Sequence, residues 1–151
     1  MIRLLPTGGL GPDRLAEVHA QAFALPWTAD DFAGLCAGAL VLAAEEAGRL
    51  EGFIMIRVAA DEAEILTIAV RPDVRRRGLG LALVEAAQSA AAARGAESLW
   101  LEVAADNAAA LALYDRAAFD EAGRRNSYYR LADGRLMDAI VMRRALNTAG
   151  V

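Results

Sequence analysis

A strand, a helix and a second strand follow one another with short connections between residues 62 and 104. The segment EAEILTIAV is rich in β-branched residues and stops before Pro72, and the segment SLWLEVA begins after Gly95. Between them, an alanine-rich run over residues 80–93 predicts a helix, for which Gly95 is a suitable residue just beyond the C-terminus. Strands joined through a helix lie parallel in one sheet. The sequence therefore predicts a mixed α/β fold.

The other segments add strands, most of them antiparallel, and three further helices. Thr28 is a suitable N-cap for the second helix, with Asp31 in a capping-box position, and Asp106 is a suitable N-cap for the last helix. The predicted order is β-α-α-β-β-β-α-β-α-β-β around a central mixed sheet. The remaining predicted segments are the strand IRLL, the helices GPDRLAEVHAQAF and PWTADDFAGLCAG, the hairpin strands LVLAAEE and EGFIMIRVA around AGRL, the helix DNAAALALYDRAAF, and the strands FDEAGRR, NSYYRL and MDAIVMRRAL with a turn at ADGR.

Length and charge limit the possible functions. A chain of 151 residues predicts one domain, over residues 1–146, with a flexible tail over 147–151. The net charge of −4 disfavours nucleic-acid binding, which needs a broad basic face. Uncharged runs such as QSAAAA are far shorter than the roughly 20 residues of a membrane span, and the N-terminus is too short and polar for a signal peptide. We expect a cytoplasmic protein, a monomer or weak dimer, with no membrane contact.

Cys36 and His19 are the only cysteine and the only histidine. One cysteine allows no intrachain disulfide and no cysteine-based zinc site, and one histidine makes a histidine-rich metal centre improbable. We expect no metal ion. Cys36 is predicted to be a small buried apolar residue, and His19 a surface residue of the first helix rather than a catalyst.

The loop before the helix at 80–93 concentrates positive charge in an acidic chain. A helix N-terminus offers unpaired N–H groups and a partial positive charge, and glycines there let a ligand approach the backbone closely. Arginines add charge and bidentate geometry, so the loop predicts a phosphate or pyrophosphate site. A solvated turn is the alternative. The residues concerned are Arg71, Arg75, Arg76, Arg77, Gly78 and Gly80.

Two common nucleotide-binding motifs do not fit this loop. The P-loop needs a lysine, and the chain contains none. The dinucleotide fingerprint G-x-G-x-x-G needs a third glycine where this chain has Leu83. Both alternatives are therefore disfavoured.

The loop instead resembles a family motif. RRRGLG after LTIAVRPD resembles the acyl-CoA-binding motif Q/R-x-x-G-x-G/A of the GNAT superfamily of N-acetyltransferases, with Arg75, Gly78 and Gly80 at its fixed positions. LWLEVAADNAAALALYDRAAF resembles the second conserved block of that superfamily. FALPWTADDF and GRRNSYYRLADGRLMDAIVM resemble the RimI branch, with small insertions around Ser127 and Leu136–Met137. Members of this branch acetylate the N-terminal alanine of a small-subunit ribosomal protein.

The resemblance implies that acetyl-CoA is the donor. Backbone amides around the loop would hold its pyrophosphate, and the edge of strand 65–70, where the central sheet splays, would pair with the pantetheine arm. Asn107 would also bind that arm, or else it only follows a helix cap. The implied donor-binding residues are Ile68, Ala69, Val70, Arg75, Arg76, Arg77, Gly78, Leu79, Gly80, Leu81 and Asn107.

The resemblance also implies two catalytic residues. Glu102 matches the general base, acting through a water on an α-amine whose ordinary pKa is about 7.7–8.0, and Tyr114 matches the general acid for the departing thiolate. A backbone N–H near Ile68 or Ala69 is a candidate donor to the oxyanion. The alternatives are a surface strand glutamate and a core tyrosine.

The acceptor would lie against Trp27, Tyr128 and Tyr129, although ordinary packing explains Trp27 equally well. One residue departs from the family pattern, because Ala118 stands where the family usually has glycine before Phe119. If that position needs a positive φ, alanine costs about 1 kcal/mol.

The function implied by the resemblance is transfer of the acetyl group of acetyl-CoA to the N-terminal amine of a protein, with a ribosomal alanine as the leading acceptor. Two alternatives remain open at this point. One is a small-molecule amine acetyltransferase of the same superfamily, and the other is a non-catalytic acyl-CoA-binding protein.

Overall fold

A computed structural model describes residues 2–5, 11–23, 26–36, 38–75, 77–131 and 133–146. The predictions for the side chain of Cys36 and for the tail 147–151 fall outside the described part. The predicted order of helices and strands is confirmed. The elements are β1 (Ile2–Leu5), α1 (Pro12–Ala22), α2 (Ala29–Cys36), β2 (Leu40–Glu46), β3 (Arg49–Ala59), β4 (Glu62–Val70), α3 (Leu79–Ala93), β5 (Ser98–Ala104), α4 (Ala108–Arg116), β6 (Asp120–Arg130) and β7 (Leu136–Ala145).

Seven strands form one mixed sheet in the order β1-β2-β3-β4-β5-β7-β6. One apolar cluster joins α3 and α4 to one face of the sheet, through residues such as Ile54, Leu83 and Leu101. A second cluster joins α1 and α2 to the opposite face, through residues such as Leu15 and Phe53. The sheet is therefore covered on both faces along β2, β3 and β4. Among the described residues, no helix is long and apolar enough to cross a membrane.

The predicted cap of α2 is confirmed, whereas that of α4 is wrong by one residue. The N–H of Thr28 donates to Asp31 Oδ2 at 2.8 Å, and the N–H of Asp31 donates to Thr28 Oγ1 at 3.2 Å, which is a capping box. In α4 the N-cap is Asn107 rather than Asp106, because Asn107 Oδ1 accepts from the N–H of Ala110 at 3.1 Å. The preceding turn delays the helix, since the N–H of Asn107 still bonds back to the carbonyl of Ala104.

His19 is a core residue, so its prediction as a surface residue is wrong. It is 2% exposed, and its ring stacks between Phe23 and Trp27. The N–H of Trp27 donates to His19 Nδ1 at 3.0 Å, which leaves the proton on Nε2, 3.1 Å from Thr67 Oγ1. Burial lowers the pKa of His19 to about 4. The helical period of α1 is consistent with this burial, because His19 lies four positions after the buried Leu15 and so shares its face of the helix.

The parallel crossover is confirmed, and the two parallel strands stay together only briefly. β4 and β5 pair over three positions, from Glu62 opposite Ser98 to Glu64 opposite Trp100. Beyond these positions the strands are no longer paired. In β4 the next residues contain a bulge, because Ile65 faces Ile56 while Thr67 faces the adjacent Met55. The sheet therefore opens between the C-terminal halves of β4 and β5, as the family resemblance implies.

β6 is one strand with a wide bulge that joins the predicted segments FDEAGRR and NSYYRL, so the chain has the two strands after α4 that the predicted order contains. Arg125 pairs with Ala139, and the next pair is Tyr129 with Met137, so residues 126–128 lie opposite Asp138 alone. The N–H of Ser127, whose φ is 53°, donates to Asp138 Oδ1 at 2.8 Å. The two extra residues around Ser127, where the sequence predicts an insertion, are thus accommodated inside the strand.

Candidate active site

A groove of about 690 Å³ lies between the C-terminal end of β4, the first turn of α3 and one side of α4. Most of the predicted donor-binding residues line it. They are Ile68, Ala69, Val70, Arg75, Gly78, Leu79, Gly80, Leu81 and Asn107. Sequence reasoning missed six further lining residues, namely Ala22, Phe23, Ala109, Ala110, Leu113 and Arg116.

The first turn of α3 presents free backbone donors to this groove. Gly78 is the N-cap, with φ of 78° and no side-chain cap, and the first bond inside the helix runs from the N–H of Ala82 to the Gly78 carbonyl. The amides of residues 79–81 therefore have no partner within the helix. A Cβ built on Gly80 would lie 3.4 Å from Leu113 Cδ2, so α3 packs closely on α4 here. This geometry fits a pyrophosphate.

The arginines of the loop take different positions. Arg75 lines the groove, and its Nε donates to the carbonyl of Val70 at 3.3 Å. Arg71 is buried and bonds to Glu17 at 3.2 Å, which makes it structural. Arg77 lines a separate hollow of about 410 Å³ instead of the groove, and Arg76 lies outside the described residues. Only Arg75 among the described loop arginines is thus brought to the donor groove.

Arg116 supplies a further positive charge on the α4 side of the groove. A helical signal for it existed, because Ala110, Leu113 and Arg116 are spaced by three residues and so share one side of α4. The family motif identifies Asn107 and Tyr114 in this helix and does not identify Arg116.

Glu102 lies on the opposite face of the sheet, just beyond the last parallel pair of β4 and β5. Leu101 and Val103 are buried against α3 and α4, so strand alternation directs Glu102 away from them. Its side chain is 25% exposed, and it lines a second groove of about 400 Å³ along β4 and β5. Arg125 Nη2 lies 3.0 Å from Glu102 Oε1. Sequence reasoning did not identify this ion pair.

Tyr114 is buried in the core under the opening of the sheet. It is 5% exposed, and its ring contacts that of Phe119 edge to face at 5.7 Å. Burial, together with a smaller effect of the neighbouring Tyr129, raises the pKa of Tyr114 to about 12. Its hydroxyl makes no hydrogen bond to any residue in the described ranges. Because no fully buried side-chain oxygen there lacks a partner, the hydroxyl oxygen of Tyr114 is not fully enclosed. Tyr114 is a neutral phenol near pH 7 and lines neither of the two grooves.

The predicted acceptor residues are only partly brought together. Tyr129 is half-buried, and its pKa is raised by burial and by the negative charge of Glu102. Tyr128 is 51% exposed and lies under the guanidinium of Arg125 at 5.0 Å. Trp27 instead packs on His19 and Phe32 and lines neither groove. The two tyrosines therefore accompany Glu102, whereas the contacts of Trp27 are those of a core residue.

The second groove covers the paired positions of β4 and β5 and reaches the start of the opening at Glu102. The donor-side groove follows the free half of β4, and Glu102 lies on the free half of β5. An anionic thioester ligand on one side and an amine on the other would meet between the two strands. This is an arrangement for transfer of an acyl group from one ligand to another.

Comparison with known proteins agrees with this geometry. The model of the acetyltransferase (GNAT) family matches residues 12–119. The [ribosomal protein bS18]-alanine N-acetyltransferase of Escherichia coli K12 is 42% identical over 127 residues, which cover 83% of this chain and 85% of that protein. The crystal structure of the ribosomal-protein-S18-alanine N-acetyltransferase from Escherichia coli superposes with a TM-score of 0.87 at 38% identity, covering 99% of this chain and 97% of that one.

A more distant likeness supports the fold alone. The structure of Arabidopsis thaliana NAA60 in complex with acetyl-CoA gives a TM-score of 0.83 at 19% identity, and covers 97% of this chain and 98% of that one. The family match extends from α1 to the end of α4 and so contains the whole donor groove and Glu102. The chain belongs to the acetyltransferase (GNAT) family.

Proposed function

We propose that this chain transfers the acetyl group of acetyl-CoA to the N-terminal amine of a protein, and that its acceptor is the N-terminal alanine of ribosomal protein bS18. The single observation that supports the reaction is the placement of a donor groove and Glu102 on either side of the opening between β4 and β5. The acceptor is supported by 42% identity to the Escherichia coli enzyme named for that substrate.

The donor would bind mainly through the backbone. The free amides at residues 79–81 and the side chain of Arg75 would hold the pyrophosphate, with Arg116 across the groove. The pantetheine arm would follow the free edge of β4 at Ile68–Val70. Asn107 contributes through its position at the groove rather than through a free acceptor atom, because its Oδ1 already caps α4.

The acceptor amine would approach Glu102. A peptide α-ammonium has a pKa of about 7.7–8.0, so near neutral pH it needs only modest help to lose its proton. The Glu102 carboxylate would take that proton through a water, and the neutral amine would attack the thioester carbonyl. A backbone N–H on the free half of β4, near Ile68 or Ala69, would donate to the oxyanion that forms.

Tyr114 would assist the departing sulfur. A phenol pKa of about 12 against an ordinary thiol near 8.5 makes complete proton transfer unfavourable by about 5 kcal/mol in water. The apolar surroundings of the ring would also raise the thiol pKa, which narrows that gap. Tyr114 is therefore expected to donate a hydrogen bond to the sulfur as the carbon–sulfur bond breaks, before the thiolate acquires a proton.

The setting follows from the acceptor. A ribosomal protein places the reaction in the cytoplasm, and we propose that the chain works there as a monomer or weak dimer without binding nucleic acid itself. Sedimentation of the purified chain at several concentrations measures the first property, and retention on immobilised RNA measures the second.

Mass spectrometry of an acetylation reaction tests the proposal. Purified chain, acetyl-CoA and a peptide with the N-terminal sequence of bS18 should give a mass increase on the α-amine of alanine. The same peptide with a blocked N-terminus is the matched control and should remain unmodified. The chain has no lysine, so lysine acetylation of the enzyme adds no background. A small amine with a higher kcat/KM than this peptide would overturn the proposed acceptor.

A further inference from the structure

The candidate base Glu102 already holds a cation in this structure. Arg125 Nη2 lies 3.0 Å from Glu102 Oε1, with the arginine side chain 55% exposed and that of the glutamate 25% exposed. The ion pair therefore lies at the solvent-facing mouth of the groove on the acceptor side. An amine that approaches Glu102 from that mouth meets this guanidinium first.

The bulge in β6 sets the position of Arg125. Arg125 forms the last regular pair before residues 126–128 bulge outward opposite Asp138. Asp138 fixes the bulge through the N–H of Ser127 at 2.8 Å and Arg124 Nη1 at 3.1 Å. The bulge brings the ring of Tyr128 beneath the guanidinium of Arg125, at 5.0 Å from its centroid. Arg125 therefore has two contacts, a carboxylate and an aromatic face.

A protein N-terminus arrives at the site as an ammonium ion. Both this ion and the guanidinium of Arg125 are attracted to the same carboxylate, and two cations in contact with one oxygen repel each other. An exposed ion pair is weak, so its exchange for another cation requires little free energy. The face of Tyr128 remains available to a guanidinium that has left Glu102.

We propose that Arg125 stands in for the acceptor ammonium: it pairs with Glu102 in the free enzyme and leaves that carboxylate when the acceptor binds. The inference rests on the proposed role of Glu102 in acetyl transfer. It makes Arg125 a residue that determines acceptor affinity, because every productive encounter includes displacement of its guanidinium. Arg125 would otherwise serve to orient Glu102 permanently, and the two roles have opposite kinetic consequences.

Steady-state kinetics of Arg125→Gln separate these roles. With acetyl-CoA saturating and the bS18 peptide varied, loss of the competing cation should lower the KM for peptide about two- to fivefold and leave kcat within about twofold of wild type. Arg125→Lys keeps a charge but loses the planar contact with Tyr128, so its KM should lie between the two. The matched control is Arg130→Gln, which removes one exposed positive charge from the same strand and should change neither constant.

Each outcome is decisive. A fall in kcat with an unchanged or higher KM in Arg125→Gln would overturn the inference, because it is the result expected if Arg125 orients the base. Equal constants for Arg125→Gln and wild type would also overturn it. If wild type itself fails to acetylate the peptide, the proposed function has failed instead, and the two failures are thereby distinguished. Thermal unfolding of each variant with acetyl-CoA confirms that the fold and the donor site are intact.

Discussion

The donor and acceptor sides of the opening are built in different ways. On the donor side, the end of β4 and the first turn of α3 contribute residues 68–70, 75 and 78–81 from one short segment of the chain, and much of its chemistry is backbone N–H and glycine. On the acceptor side, Glu102 and Arg125 come from β5 and β6 and meet only because β7 pairs with both strands. A sequence motif can therefore reveal the donor side, which is formed by the backbone of one segment. It cannot reveal the acceptor side, because the contact between Glu102 and Arg125 depends on the register of three strands.

The largest effect that separates the two sides is expected from Glu102→Gln. Loss of a general base should lower kcat/KM for the peptide about a hundredfold or more, since glutamine keeps the shape but accepts no proton. The dissociation constant for acetyl-CoA, measured by calorimetry, should stay within about twofold because Glu102 lines only the acceptor groove. A variant with wild-type turnover would remove Glu102 from the chemistry.

Acid should lower the free energy of unfolding through His19, which lies in the core between α1, α2 and the sheet. The folded pKa of His19 is about 4 against an ordinary 6.5, so the unfolded chain binds a proton in this range and the folded chain does not. Stability should be at its full value above pH 6.5 and fall by up to about 3 kcal/mol as pH drops to 4. Protonation would also break the bond from Trp27 to Nδ1.

Urea unfolding between pH 7 and 4 measures this loss. The variant His19→Gln has no titrating group at that position, so its stability should change less over the same range even if it is lower at pH 7. Parallel slopes for the variant and wild type would show that another group controls the acid response.

A methyl group added at Gly52, behind the donor groove, should disturb the donor side of the opening and leave the acceptor side unchanged. A Cβ built on Gly52 would lie 2.9 Å from the carbonyl oxygen of Ala69 and 3.3 Å from Val70 Cγ2, and a backbone atom cannot move aside cheaply. We expect Gly52→Ala to lose about 1–3 kcal/mol of stability and to bind acetyl-CoA more weakly. Gly123→Ala is the matched control, because a Cβ there meets nothing within 4 Å. Equal thermal stability of the two variants would contradict this account.

The smallest effect concerns the turn after α4. Ala118 has φ of 68°, so the position does require the left-handed region in which the family usually has glycine. Ala118→Gly should relieve about 1–2 kcal/mol of backbone strain, partly offset by the entropy that glycine adds to the unfolded chain. We expect a net gain of about 0.5–1 kcal/mol in urea unfolding, with unchanged kcat. A loss of stability would show that the methyl group contributes packing.

The same contrast explains what could be predicted from the sequence. The order of strands and helices and the exposed helix N-terminus follow from local signals such as Gly78 and Pro72, whereas the opening of the sheet follows from the family resemblance, and the structure agrees with all three. The partnership of Glu102 with Arg125 could not be predicted, because it depends on which strand lies between β5 and β6 and on a bulge at residues 126–128. The burial of His19 depends on partners that are distant in sequence, because Thr67 of β4 and the backbone of Trp27 satisfy its ring nitrogens in the core.

The position of β7 between β5 and β6 has a consequence for biosynthesis. The residues of the donor groove end at Arg116, whereas β6 can reach β5 only through β7, which closes at Ala145. A ribosome makes the chain from its N-terminus, so the thioester-binding half emerges first and the amine-binding half is assembled only when the last strand is released. Ile140 and Met142 of β7 also belong to the apolar cluster that packs α3 and α4 on the sheet, so a chain truncated before β7 lacks part of the support of the donor groove as well as the strand that links Glu102 to Arg125.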